Sequence, residues 1–201
     1  MNKYNFSPGP ATLDNSVLEI VNQNILEYEN EGFSILEISH RSDIFENILE
    51  NTKKNLKDLL NIPSNFKILF LQGGATFHNT FLAHNINLKK STSNLVTGTW
   101  GKKTYEDFVK IRDSKEIFLK SRDISEFIKD PSLAVNQKTD YLHITSNETI
   151  EGIQLRNFDQ IENDLIVDGS SDIGSYKFDW NNVAYIYAGA QKNLGIPGVT
   201  I

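Results

Sequence analysis

The chain of 201 residues contains no cysteine, so a disulfide framework and a thiolate metal site are both excluded. Its four histidines, His40, His78, His84 and His143, lack the H-E-x-x-H spacing of a zinc-binding helix, and we expect no metal. No run approaches the roughly 20 apolar residues of a membrane span, and the first residues lack the apolar stretch of a signal peptide. We therefore expect a cytoplasmic protein that does not bind membranes.

Basic residues are too few for a general nucleic-acid-binding protein. Lys and Arg number 20 against 26 Asp and Glu, which gives a formal net charge of -6. Nucleic-acid-binding proteins instead concentrate positive charge against the phosphate backbone. Lys53, Lys54 and Lys57 do cluster, but Glu50 and Asp58 lie among them, which favours a solvated helix face. With 39% hydrophobic residues, the composition is that of an ordinary globular domain.

Two helices are predicted near the N-terminus. Apolar residues at helical spacing predict the first over residues 17–28, with Gly32 at its end. A stronger apolar stripe predicts the second over residues 45–60. Ser42-Asp43 would cap its start, and it would stop before Pro63.

Beyond the helices, short apolar runs separated by helix-sized intervals predict strands at residues 68–71, 94–97, 141–144, 165–168 and 184–187. Strands with little internal polarity indicate an α/β fold, with a mostly parallel sheet covered by helices on both faces. Residues 111–138 show only a weak helical pattern at Ile124, Phe127 and Ile128, and we interpret them as surface structure. Residues 198–201 predict the beginning of a strand at which the chain stops, so we expect a truncated sequence.

Residues just after the strands are the first candidates for function, because α/β sheets bind ligands beyond the carboxyl ends of their strands. Gln72-Gly73-Gly74-Ala75-Thr76 follows the first predicted strand and could offer a helix N-terminus to a phosphate, although a plain strand-to-helix turn has the same pattern. Asp168 ends the fourth predicted strand, where a carboxylate could hold the protonated nitrogen of a heteroaromatic cofactor. A helix-capping or turn aspartate is the open alternative.

Lys192 follows the last predicted strand in a run of small residues. Such a lysine can lose hydration, which lowers its pKa and frees the amine for a Schiff base, or it can be an ordinary loop lysine. Trp100 follows the second strand and could stack on a planar ring or belong to the core. Thr149 follows the third strand and could contact a ring oxygen. Because these residues follow strands of one predicted sheet, a single planar cofactor could reach them.

Blocks of sequence in colinear order along nearly the whole chain resemble the phosphoserine aminotransferases, a family of fold-type-I pyridoxal-phosphate enzymes. The blocks are residues 5–11, 39–42, 69–76, 97–100, 147–150, 168–171 and 186–193. Ala-Gly-Ala-Gln-Lys-Asn at residues 188–193 and His-Arg-Ser at residues 40–42 are the blocks specific to this family. His78 and Asn79 depart from it, since the family usually has Gln and an apolar residue there. So does Ser-Tyr-Lys at residues 175–177, in place of Ser-Arg-Pro.

The resemblance implies a cofactor site and a substrate site. Lys192 would be the catalytic residue, joined covalently to pyridoxal 5'-phosphate. Six further residues would hold that cofactor: Ala75, Thr76, Trp100, Thr149, Asp168 and Gln191. Among them Asp168 would pair with the ring nitrogen, and Trp100 would stack on the ring. Arg41, helped by His40, would bind an acidic group of the substrate, which suits an arginine fork.

The resemblance also implies an activity and an assembly. The enzyme would transfer an amino group between L-glutamate and 3-phosphohydroxypyruvate, a phosphorylated 2-oxo acid, in serine and pyridoxine biosynthesis. Residues 1–201 would form an incomplete cofactor-binding large domain of a homodimer, with residues 1–15 belonging to the small domain or the dimer interface. The alternatives are another fold-type-I activity, such as alanine–glyoxylate transamination, and a truncated, inactive fragment that serves only as a binding module. Cysteine desulfuration normally requires a cysteine, which this chain lacks.

Overall fold

The computed structural model describes residues 4–119, 125–127, 129, 139–158 and 161–201. The chain divides into two compact units, Met1–Ile68 and Leu69–Ile201. The assignment of the whole chain to one large domain, with residues 1–15 as a separate contribution, stays a prediction. No helix in the described ranges is both long and apolar enough to cross a membrane.

The first unit contains helix α1 (Asn15–Leu26), a short 3-10 helix (Ile35–Glu37) and helix α2 (Asp43–Leu60). Helix α1 is shorter than predicted because Glu27 is already extended, and Gly32 lies in a later turn with φ +79°. The prediction that Gly32 ends this helix was wrong. Helix α2 begins as predicted, since the Ser42 hydroxyl accepts the Phe45 N–H at 3.2 Å. Asn61, in the left-handed conformation, ends it.

The second unit contains the sheet and its flanking helices. Its elements are α3 (Gly74–Asn85), β1 (Thr92–Val96), α4 (Thr99–Val109), β2 (Lys115–Phe118), β3 (Tyr141–Thr145), β4 (Asn147–Glu148), β5 (Ile153–Gln154), β6 (Asp164–Asp168) and β7 (Val183–Tyr187). Five strands form one sheet in the order β2-β1-β3-β6-β7, and every neighbouring pair is parallel. Strands β4 and β5 form a separate antiparallel hairpin. The predicted α/β fold with a mostly parallel sheet is confirmed.

The core lies on both faces of this sheet. Helices α3 and α4 pack on one face through a cluster of buried residues: Ala83, Ile86, Phe108, Ile166 and Tyr187. Successive strand residues point to opposite faces, and Leu165 and Ile166 are both fully buried. Burial on both faces explains why β6, in which Leu165, Ile166 and Val167 are all buried, lacks the polar alternation of a half-exposed strand.

Two stretches differ from their predictions. Residues 68–71 form no strand: Leu69 is 62% exposed, and only Leu71 pairs, in an isolated antiparallel bridge to Thr200. Strand β2 lies in the region predicted to be surface structure, where only Ile117 of its four residues is buried. An edge strand with one buried side chain leaves almost no apolar pattern in the sequence. In the same region, Ile124 and Ile128 of the weak helical pattern lie outside the described residues.

Candidate active site

The candidate residues of the second unit gather at the carboxyl edge of the sheet. Asp168 ends β6 and is in register with Tyr187 at the end of β7, so the two parallel strands end together. Thr200 pairs with Leu71 on one side and with Gly189 on the other. The segment that carries Thr200, predicted as the start of a strand, therefore joins the loop before α3 to the loop after β7.

Lys192 lies in this loop with its amine turned toward the β4–β5 hairpin. Its Nζ donates a hydrogen bond to Oγ1 of Thr149 at 3.0 Å. Burial lowers the pKa of the Lys192 amine, and the negative charge of Asp168 partly opposes that shift because it favours the ammonium form. A half-buried amine with a lowered pKa is a suitable nucleophile toward an aldehyde, unlike an ordinary loop lysine.

Asp168 is half-buried and fixed by its neighbours. Its Oδ1 accepts the Ser170 N–H at 3.0 Å, and the Ser146 hydroxyl donates to its backbone oxygen at 3.0 Å. Burial raises the pKa of the Asp168 carboxyl, while the hydrogen bonds from Ser170 and the charge of Lys192 oppose the rise. The charge of each of these two groups therefore opposes the effect of burial on the pKa of the other.

The N-terminus of α3 is open to an anion. Among the described residues no side chain caps it, and its first turn has no acidic residue. Gly73 and Gly74, at φ +98° and +67°, lead into the helix in a conformation that favours glycine. The first N–H groups of a helix, here including those of Ala75 and Thr76, have no partner within the helix. They could therefore bind a phosphate.

The N-terminus of α4 is not open in the same way. Glu148 accepts the N–H groups of Trp100 and Gly101, at 2.9 and 2.8 Å, and Glu151 accepts that of Thr99 at 2.9 Å. Two carboxylates already satisfy the free donors and the positive end of this helix. The comparison of the two helices favours the N-terminus of α3 over that of α4 for binding an anion.

The remaining predicted residues are placed as follows. Trp100 lies in the first turn of α4 and is 36% exposed, so it is not a core tryptophan. Gln191 is half-buried and folds over Gly189, where an added Cβ would meet its Oε1 at 2.5 Å. His40 and Arg41 lie in the first unit, between the 3-10 helix and α2, and both are exposed. Their role toward a substrate stays a prediction.

A buried polar chain that sequence reasoning missed runs beneath this edge. The Tyr187 hydroxyl donates to Oδ1 of Asn79 at 2.8 Å and lies 2.9 Å from Nε2 of His143. Because its proton is directed to Asn79, the hydroxyl must accept from His143 Nε2–H. Burial lowers the pKa of His143 to about 3, which keeps the ring neutral. Asn79 also donates to Asp107 at 3.3 Å. One feature of the sequence could have pointed to this polar chain. His78 and Asn79, which are both buried, differ from the residues that the resembling family usually has at these positions.

Two buried polar atoms on β3 have no hydrogen-bond partner among the described residues. They are Oγ1 of Thr145 and Nδ1 of His143. Thr145 is in register with Asp168, and His143 points to the same face two residues earlier. Buried polar atoms are normally paired, so an unpaired hydroxyl on the residue in register with Asp168 suits a sheet edge that takes a polar ligand. The described part of the chain has no group of side chains that could hold a metal ion.

A comparison with protein families decides what kind of protein has this arrangement. Residues 3–201 match the family Aminotransferase class-V. The chain belongs to this family. The match spans both compact units of this class-V aminotransferase chain and includes every predicted site residue, from His40 to Lys192.

Relatives of this class-V aminotransferase chain are longer than it is. A phosphoserine aminotransferase of Lactococcus lactis subsp. cremoris (strain SK11) is 41% identical over 208 residues, which cover 98% of this chain and 57% of the relative. The solved phosphoserine aminotransferase of Bacillus circulans subsp. alkalophilus is 40% identical with a TM-score of 0.84, covering 99% and 56% of the two chains. A PLP-bound phosphoserine aminotransferase from Trichomonas vaginalis is 30% identical with a TM-score of 0.84, covering 99% and 60%. The chain thus spans little more than half the length of these relatives.

Proposed function

We propose that the protein carrying this chain is a phosphoserine aminotransferase, which exchanges an amino group between L-glutamate and 3-phosphohydroxypyruvate. The observation that carries the proposal is the 3.0 Å contact between Lys192 Nζ and Thr149 Oγ1, at the sheet edge where Asp168 ends β6. Identity of 41% to a named phosphoserine aminotransferase supports the choice of substrates.

The residues present fit pyridoxal 5'-phosphate. The open N-terminus of α3 suits its phosphate, and Gln191 lies in the neighbouring loop. Asp168 suits the protonated ring nitrogen, and Thr149 suits the ring oxygen. The exposed indole of Trp100 suits the face of the ring. When bound, the cofactor supplies an aldehyde for an amine and an electron sink for the bonds at an amino acid's α-carbon.

The chain's own residues have separate tasks in this proposal. Lys192 would hold the cofactor through Nζ, and the same Nζ would carry a proton to and from the substrate. Its lowered pKa makes the neutral amine, which accepts a proton, more available. Asp168 would hold the ring nitrogen protonated, since the Ser170 N–H fixes Oδ1 of its carboxylate and the Ser146 hydroxyl fixes its backbone oxygen. Arg41, with His40, binds the acidic group of the substrate.

The proposal also covers the protein's location, its assembly and the molecules that it binds. We infer a cytoplasmic homodimer that acts on small molecules in serine biosynthesis, and by extension in pyridoxine biosynthesis, and that binds neither nucleic acid nor membranes. The formal net charge of -6 supports the inference on nucleic acid. Residues 1–15 are proposed to serve the small domain or the dimer interface.

Amino transfer in a full-length protein that contains this chain tests the proposal. We expect turnover of O-phosphoserine with 2-oxoglutarate to exceed turnover of alanine with glyoxylate, and Lys192→Ala to abolish both. Arg41→Ala should raise KM for O-phosphoserine more than KM for alanine, because alanine lacks the phosphate. Equal or faster turnover of alanine would overturn the choice of substrates, and full activity of Lys192→Ala would overturn the site.

A further inference from the structure

Glu148 is a carboxylate buried at the start of α4. It has 0% exposure, and its two oxygens accept the N–H groups of Trp100 and Gly101 at 2.9 and 2.8 Å. Each oxygen therefore holds one of the helix's first free donors. Such charge-assisted hydrogen bonds are stronger than neutral ones, and the carboxylate also lies at the positive end of the helix. The start of α4 is fixed from a separate element, the β4–β5 hairpin.

Two glycines around Trp100 make room for this carboxylate. A Cβ added to Gly98 would lie 2.5 Å from Oε2 of Glu151 and 2.8 Å from Cδ of Glu148. One added to Gly101 would lie 2.9 Å from both Oε1 of Glu148 and the backbone oxygen of Leu95. All these distances are too short for a real Cβ. The close approach of the Glu148 and Glu151 carboxylates, together with the Leu95 backbone at Gly101, thus explains the two glycines of the Gly-Thr-Trp-Gly sequence at residues 98–101.

The same hairpin also reaches the amine. Thr149, the residue after Glu148, accepts the hydrogen bond from Lys192 Nζ. The Gly152 N–H donates to the backbone oxygen of Glu148 at 2.8 Å, which closes the hairpin turn between them. Glu148 is therefore adjacent in the chain to Thr149, which contacts Lys192, and its side chain accepts a hydrogen bond from the backbone of Trp100.

We propose that Glu148 is a positioning residue that holds the Trp100 indole in a fixed place relative to Thr149 and Lys192. Its importance for catalysis rests on the proposed function, in which this indole stacks on the cofactor ring. Without the carboxylate, the two N–H groups would lose their acceptors and the first turn of α4 would loosen. The indole would then sample several positions, while the sheet and the rest of α4 keep their packing.

The experiment uses the 201-residue chain with Trp180→Phe, which leaves Trp100 as the single fluorescent tryptophan. Glu148→Gln keeps the size of the side chain but turns an amide NH₂ toward a backbone N–H. Glu151→Gln is the matched control, because Glu151 lies on the same hairpin and binds the same helix end but is exposed. Anisotropy of Trp100 emission and its quenching by acrylamide are measured without cofactor, and affinity is then measured with pyridoxal 5'-phosphate.

In Glu148→Gln we expect lower anisotropy and stronger quenching of Trp100 than in Glu151→Gln. Cofactor affinity should fall about fivefold, the size expected when a stacked aromatic contact is lost. Unchanged anisotropy and quenching in Glu148→Gln would overturn the inference. If that variant does not fold by circular dichroism, Glu148→Asp, which keeps the charge but cannot reach both N–H groups, must show the same changes. Failure of the unmodified chain to bind cofactor would count against the proposed function alone, since the Trp100 measurements need no cofactor.

Discussion

Tyr187→Phe tests the buried polar chain under the candidate site. The substitution removes one hydroxyl, which donates to Asn79 at 2.8 Å and lies 2.9 Å from His143 Nε2. The ring itself keeps its place in the cluster with Phe108 and Ile166. Any loss of stability therefore measures the polar contacts and not a cavity.

The expected magnitude follows from the groups left behind. Asn79 Oδ1 and His143 Nε2–H would both be buried without partners, and an unpaired buried group costs about 1–3 kcal/mol. The variant no longer has to bury the polar Tyr187 hydroxyl, and the desolvation energy saved offsets part of this cost. We expect the free energy of unfolding to fall by about 2–4 kcal/mol, which at a slope of roughly 2 kcal/mol/M lowers the urea midpoint by about 1–2 M.

The assay is urea unfolding followed by tryptophan fluorescence, since both tryptophans lie in the second unit. Tyr185→Phe is the matched control, because it makes the same chemical change on the same strand at a residue that is 42% exposed. The free energy of unfolding of Tyr185→Phe should differ from that of the unmodified chain by no more than about 0.5 kcal/mol. Equal midpoints for the two variants would refute the assignment of a hydrogen-bonded chain through Tyr187.

Two further predictions concern the Lys192 amine and the loop before α3. Asp168→Asn removes a negative charge that raises the pKa of Lys192, so that pKa should fall further. An amine-reactive ester, followed by mass spectrometry at Lys192, should then label this residue at lower pH than in the unmodified chain, and a shift to higher pH would contradict the account. Gly73→Ala should lower the free energy of unfolding by about 1–2 kcal/mol, because Gly73 has φ +98° and an added Cβ would meet Phe77 at 2.7 Å. Gly195→Ala, where an added Cβ meets nothing within 4 Å, should leave it within about 0.5 kcal/mol, and equal losses would show that the loop conformation does not matter.

Much of the sheet could be predicted from the sequence, because parallel strands buried on both faces are short apolar runs. Residues 141–144, 165–168 and 184–187 all lie within observed strands. Residues 68–71 have an equally apolar sequence but form no strand, since only Leu71 finds a partner. Periodicity reports how apolar a segment is, and it does not report whether a neighbouring strand is available.

Candidate residues could be located because each follows a strand in the sequence and parallel strands end at one edge. This reasoning predicted that a single cofactor could touch both Asp168 and Lys192, and that placement stays a prediction. It did not predict that the Glu148 carboxylate caps α4, because that contact joins residues 47 and 48 positions apart. Nor did it predict the link from Asn79 to Tyr187, 108 positions apart. Such pairs leave no local pattern, so only the folded chain reveals them.

The covalent attachment of the cofactor at Lys192 is the central claim, and peptide mapping tests it most directly. The 201-residue chain is mixed with pyridoxal 5'-phosphate, reduced with borohydride, digested, and analysed by mass spectrometry. We predict that the label lies on the peptide containing Lys192 and disappears in Lys192→Ala. It should persist in Lys177→Ala, which removes an exposed lysine. Label on another lysine, or an unchanged amount of label in Lys192→Ala, would contradict the account.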